Sequence, residues 1–141
     1  MLPLQRMYLR QFHVERLDMV WKPWHLYMAL KITLTGRGGH GSAPEGCIDP
    51  INAGVEVYHA FQALIARECP PSAEAALTIG QFTAGNAANV IPERCVLQGT
   101  LRTFNEEVRT MLIRRLMKLF RLLQQLIVLH VKSKNSAMFR V

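Results

Sequence analysis

Nine consecutive residues constrain this chain most: Gly36-Arg37-Gly38-Gly39-His40-Gly41-Ser42-Ala43-Pro44. Glycine permits backbone angles and close approaches closed to other residues, and Pro44 blocks immediate helix growth, so the segment is a loop. It follows a strand. Leu30, Ile32 and Leu34 alternate with Lys31, Thr33 and Thr35, a period of two that predicts a strand over 29–36 with one buried face. The glycines formally match G-x-G-x-x-G after a strand, the dinucleotide fingerprint, and Glu56 follows Gly36 by 20 residues. That mechanism needs a helix opening at the last glycine, its N-terminus toward the pyrophosphate. Pro44 and Gly46 delay the helix to Pro50 and leave Glu56 inside it, which excludes the reading.

Downstream, Asp49-Pro50 is a helix start, with Asp as cap acceptor and Pro tolerated at the first position. Ile51, Val55, Tyr58, Phe61 and Ile65 recur at spacings of three and four and mark an apolar face to about Glu68, before Cys69-Pro70-Pro71 stops the helix. Ala75 to Phe82 reads as a strand with a bulge at Gly80, where the apolar parity changes. Gly85 to Asn89 is a turn of residues that tolerate left-handed backbone. Cys95, Leu97, Leu101 and Thr103 alternate with Val96, Gln98, Thr100 and Arg102, giving a third strand with a polar outer stripe. Asn105 caps a second helix that opens on Glu106 and Glu107 and carries Arg114, Arg115, Lys118 and Arg121 later, matching the helix dipole. Gln125 to Lys132 is expected to supply a last strand. The resulting fold is α+β: a four-stranded antiparallel sheet with two helices on one face, the ferredoxin-like βαββαβ order. Residues 1–25 form a basic extension without assignment, 26–132 the domain, and 133–141 a tail.

The net charge of +7 invites a nucleic-acid reading, yet the central residues 38–105 hold six acidic and three basic groups. The basicity belongs to the flanks, which disfavours a basic nucleic-acid platform. The longest uncharged apolar run, Leu122 to Val131, falls well short of the roughly 20 residues a membrane span requires. The basic, apolar stretch from Leu112 to Leu129 could suit a membrane surface or a helix-binding partner, but reads more simply as a core helix with a solvated basic edge. Neither nucleic acid nor membrane is expected as a partner. Three scattered cysteines, Cys47, Cys69 and Cys95, make no disulfide framework and point to a reducing, cytoplasmic setting. His13, His25, His40, His59 and His130 form no short pairs and there is no C-x-x-C, so no metal site is expected. Gly41-Ser42-Ala43 lacks the nucleophile elbow, which leaves Ser42 a loop residue. His40 differs from the other histidines, because the glycines around it strip away neighbouring side chains; the residues alone leave open a solvated loop histidine with no role.

Four blocks in this order and spacing, the glycine loop 36–44, Ile48-Asp49-Pro50, Asn89-Val90-Ile91-Pro92 and Gly99-Thr100-Leu101-Arg102-Thr103-Phe104, resemble the dimerisation (lid) domain of the zinc-dependent amidohydrolase and aminoacylase metallopeptidases. The resemblance covers about residues 29–112. It implies a lid inserted into a separate catalytic domain that binds zinc or another divalent metal, and a homodimer formed through paired lids. It also implies that His40 reaches across the dimer to the substrate carbonyl, where imidazole can stabilise developing oxyanion charge. Asn89 would help hold substrate, and Arg102 would grip its carboxylate. The implied substrates are N-acyl amino acids or related amides. The chain lacks the metal motifs and is expected to be inactive alone, either a fragment or a lid that works with a separate catalytic half. The alternative is a free-standing ferredoxin-like binding module for a protein or RNA, whose mark would be aromatic rings on the open sheet face.

Overall fold

A computed structural model of the chain describes residues 13–22 and 27–137. Its elements in order are strands β1 (His13–Lys22), β2 (Tyr27–Thr35) and β3 (Gly39–His40), a short 3-10 turn (Pro44–Gly46), helix α1 (Pro50–Glu68), strands β4 (Ala75–Ala84), β5 (Val90–Ile91) and β6 (Arg94–Thr103), and helix α2 (Glu106–Ala137). The fold is α+β, with two α-helices and antiparallel sheets. One sheet runs in the order β1-β2-β6-β4, and β3 pairs with β5 in a separate two-stranded sheet. Because β6 lies between β2 and β4, the unit β2-α1-β4 is a split βαβ crossover.

Both helices cover the same sheet face. Met28, Leu30, Ile32 and Leu34 of β2, Leu77 of β4, and Cys95, Leu97 and Leu101 of β6 form one buried cluster with Ala53, Val57, Phe61 and Leu64 of α1 and Leu112, Leu116 and Phe120 of α2. The bulge expected at Gly80 is present, as the pairing register shifts between Ile79 and Gln81. It turns Ile79 and Phe82 toward the same face, so the parity change in the sequence follows from geometry. Asp49 caps α1, its Oδ1 accepting from the Ile51 amide at 2.8 Å, and Asn105 caps α2 by accepting from Glu107 and Val108. Gly85 has φ of +64°, the left-handed turn its composition foretells.

Three expectations are corrected. The closing strand expected at 125–132 is not formed, because α2 runs on through those residues to Ala137. No Gly or Pro interrupts 106–137, so helix propagation carries past the β-branched pair Ile127-Val128. The order βαββαβ is therefore not adopted. The edge beside β2 is instead occupied by β1, which lies within residues 1–25, expected to be an extension without assignment. Of the expected 1–25 extension, the rest lies outside the described residues; of the expected tail, 133–137 belongs to α2 and 138–141 lies outside them.

The third correction concerns α1. Its buried residues are Pro50, Ala53, Gly54, Val57, Phe61 and Leu64, whereas Ile51, Val55 and Tyr58 stay 37–38% exposed. Small residues decide which face docks. A Cβ on Gly54 would lie 2.7 Å from the Phe82 ring and 2.9 Å from the Cys95 sulfur, so the helix seats on the sheet through Ala53 and Gly54. The bulkier stripe Ile51, Val55, Tyr58 is left outside. At the far end of α1, Glu68 pairs with Arg115 of α2 and ties the two helices together.

Candidate functional site

The glycine loop is packed between two backbone segments, which accounts for its composition. A Cβ on Gly36 would sit 2.1 Å from the Ile48 carbonyl oxygen, one on Gly38 2.7 Å from that of Ile91, and one on Gly41 3.2 Å from that of Asn89. Hydrogen bonds hold the same approaches: Arg37 and Ile48 exchange amide-to-carbonyl bonds of 3.0 and 2.9 Å, and the Gly41 amide donates to the Asn89 carbonyl at 2.9 Å. These glycines serve close approach rather than phosphate binding. The helix opens only at Pro50, as the argument against a dinucleotide site requires.

His40 sits on this platform. Its backbone pairs with Val90 in the two-stranded sheet, so β3 and β5 bring His40 and Asn89 to one end of the molecule, both exposed. A turn closes behind it, with the Ala43 amide donating to the His40 carbonyl at 3.0 Å. The Ser42 hydroxyl lies 2.7 Å from His40 Nδ1, and the Ser42 amide donates to the same nitrogen at 3.2 Å. Ser42 is the loop residue its sequence context predicts, and its place two residues after a glycine-flanked histidine is the signal for its contact with the ring. Cys47 packs under the loop, its sulfur 2.5 Å from where a Cβ on Gly39 would stand.

Arg102 is not part of that cluster. It pairs with Tyr27 and Ala76 at the far end of β6, while Arg94, the end nearest His40, is eight residues away along the strand. At about 3.3 Å per residue the two ends are about 26 Å apart. Arg102 stands on the open sheet face with the exposed Lys31, Thr78, Gln81 and Gln98. Gln98 Nε2 donates to Gln81 Oε1 at 2.6 Å, which links neighbouring strands across that face. From Met28 onward in β2, and along β4 and β6, the described side chains of this face carry no aromatic ring of the kind an RNA-binding sheet would need, and Phe104, 73% exposed, stands just past the end of β6.

Among the described residues no three His, Cys, Asp or Glu side chains converge, so they do not fit a metal centre. Cys95 is buried against Gly54, and that burial, helped by the Asp49 charge, pushes its thiol up to about 11. A thiol so placed is a core residue rather than a nucleophile. No helix among the described residues is long and apolar enough to cross a membrane.

Comparison with known proteins matches this architecture to one family. The model described as Peptidase dimerisation domain matches residues 27–124. Hippurate hydrolase of Campylobacter jejuni is 35% identical over 105 residues, 74% of this chain and 27% of its own length. The N-acetyl-L-cysteine deacetylase of Bacillus subtilis is 36% identical over 85 residues, 60% of this chain and 20% of its own. The N-acyl-L-amino acid amidohydrolase of Geobacillus stearothermophilus is 41% identical over 78 residues, 55% and 21%. The chain thus spans about a quarter or less of these relatives. Among solved structures, an amidase of the hydantoinase/carbamoylase family from Burkholderia multivorans superposes with a TM-score of 0.63 at 19% identity, covering 72% of this chain and 25% of that one. A tripeptidase from Staphylococcus aureus gives 0.60 at 18% identity, covering 72% and 26%. These two likenesses speak for the fold alone. With the family match extending over well more than half of its length, the chain belongs to the peptidase dimerisation domain family of amidohydrolase-type hydrolases.

Proposed function

We propose that this domain is the lid through which an amidohydrolase acting on N-acyl amino acids or related amides pairs with its own copy, and that His40 of one lid serves the active site of the other subunit. The observation that carries the reading is the stripe Ile51, Val55, Tyr58, an apolar helix face left over a third exposed in a domain of a dimerisation family. Phe82 at 40% exposed lies beside it, against Gly54 of the same helix, on β4, the edge strand of the main sheet. An apolar stripe next to a strand edge left unpaired among the described residues suits a second copy of the same surface.

His40 then acts as a donor to the carbonyl oxygen as it gains negative charge, Asn89 helps hold the substrate, and Arg102 grips a carboxylate. The separation of about 26 Å between the two ends of β6 exceeds the length of a small N-acyl amino acid. That spacing favours a site that draws His40 and Arg102 from two subunits. The metal-dependent hydrolysis itself belongs to a catalytic domain outside these 141 residues. Three unpaired cysteines suit a reducing, cytoplasmic setting.

A chimaera tests the trans role: residues 27–124 replace the corresponding lid of the Campylobacter hippurate hydrolase. One version carries His40→Ala, another an inactivated metal centre, and each is inactive alone. Mixing them should restore hydrolysis, because the intact catalytic domain then meets an intact His40 from its partner. Activity that never returns in verified heterodimers, or that survives His40→Ala in the pure chimaera, refutes the assignment.

A further inference from the structure

His40 receives two polar contacts on one ring nitrogen. The Ser42 hydroxyl oxygen is 2.7 Å from Nδ1, and the Ser42 backbone amide donates to that nitrogen at 3.2 Å. A backbone N–H can only donate. Were Nδ1 to carry a hydrogen, it would confront the amide hydrogen directly, so both contacts are satisfied only when Nδ1 is bare and the hydroxyl also donates. In neutral imidazole the hydrogen then resides on Nε2.

We propose that Ser42 is a positioning residue that holds His40 in its Nε2–H tautomer, with the donor nitrogen at the ring edge opposite the loop. The turn makes this possible. The bond from the Ala43 amide to the His40 carbonyl fixes the four residues, and Gly41 between them meets the Asn89 carbonyl where any side chain would crowd it. The hydroxyl at position 42 is thereby delivered to the ring of position 40. The consequence for chemistry rests on the lid role proposed above. A carbonyl oxygen gaining negative charge needs a hydrogen from Nε2, whereas the other tautomer would set a lone pair against a lone pair.

The test is a long-range proton–nitrogen NMR correlation of the whole chain with labelled histidine, in buffer alkaline enough to leave the ring neutral. His40 should show a bare Nδ1 and a protonated Nε2. Ser42→Ala keeps the backbone amide and loses the hydroxyl. Since a net hydrogen bond is worth about a factor of five in an equilibrium, the Nε2–H to Nδ1–H ratio should fall about fivefold in that variant. Ser42→Thr, which keeps a hydroxyl, should restore it. An Nδ1–H form dominant in the wild type, or a ratio unchanged by Ser42→Ala, overturns the proposal. The spectrum is read without substrate or partner, so its result stands apart from the chimaera's: a correct tautomer with failed complementation would sink the trans role alone.

Discussion

Replacing Gly36 by alanine tests whether the glycine loop is built for close approach. A Cβ there would lie 2.1 Å from the Ile48 oxygen and 3.1 Å from both the Ile48 carbonyl carbon and Pro50 Cδ. All three atoms are backbone or ring, so relief requires movement of the Arg37–Ile48 pairing that joins the loop to the start of α1. Forced overpacking of this kind costs about 1–3 kcal/mol. For a domain of this size each kcal/mol moves the melting temperature by about 4 °C, so Gly36→Ala should melt about 4–12 °C lower. Gly46→Ala is the internal control: nothing lies within 4 Å of its Cβ position, and its φ is outside the left-handed region. That substitution restricts the unfolded chain and should stabilise by about 0.4–1 kcal/mol. Thermal melts by circular dichroism decide the matter. If Gly36→Ala melts with or above Gly46→Ala, the close-approach account of the loop is wrong.

Three further outcomes follow from particular contacts. Val55→Asp, at a position 38% exposed, should leave the melting temperature nearly unchanged while weakening self-association at least about tenfold, since it places a charge on the apolar stripe in both copies; sedimentation velocity across concentrations reads this. Cys95, buried and with its thiol pushed up to about 11, should resist alkylation in the folded chain at mildly alkaline pH while Cys47 and Cys69, both half-buried, react first, as peptide mass mapping would register. Arg115 holds the Glu68 carboxyl below its ordinary range, mainly through their hydrogen bond. A lowered carboxylate contributes stability that is present above its unfolded range and lost as pH falls, so acid should lower the melting temperature of the wild type more than that of Glu68→Gln. The two side chains are a third or more exposed, and the difference should be small.

What the sequence revealed, and what it hid, has physical reasons. Strands β2, β4 and β6, the Gly80 bulge and both helix caps were legible because each depends on a local signal: parity, a glycine where parity breaks, and Asp or Asn before a helix. The α2 extension was misread because Ile127 and Val128 favour strands, while the lack of any breaker from 106 to 137 favoured the helix that formed. Strand β1 carried a signal that went unused. Leu17, Met19 and Trp21 alternate with Arg16, Asp18, Val20 and Lys22, a set polar except at Val20, and the first three pair in register with Ile32, Leu30 and Met28. The docking face of α1 was illegible from hydrophobicity, since the helix bears two apolar stripes and only the close approach at Gly54 selects between them. His40 and Asn89 belong to two separate sequence blocks that the β3–β5 pairing brings together, whereas the distance to Arg102 depends on strand register, which no local motif encodes.

Sedimentation equilibrium of the unmodified chain at tens of micromolar tests the central claim most directly. Self-association through the α1 stripe and the β4 edge predicts a concentration-dependent mass rising to twice 16.0 kDa. A mass that stays at 16.0 kDa throughout that range would contradict it.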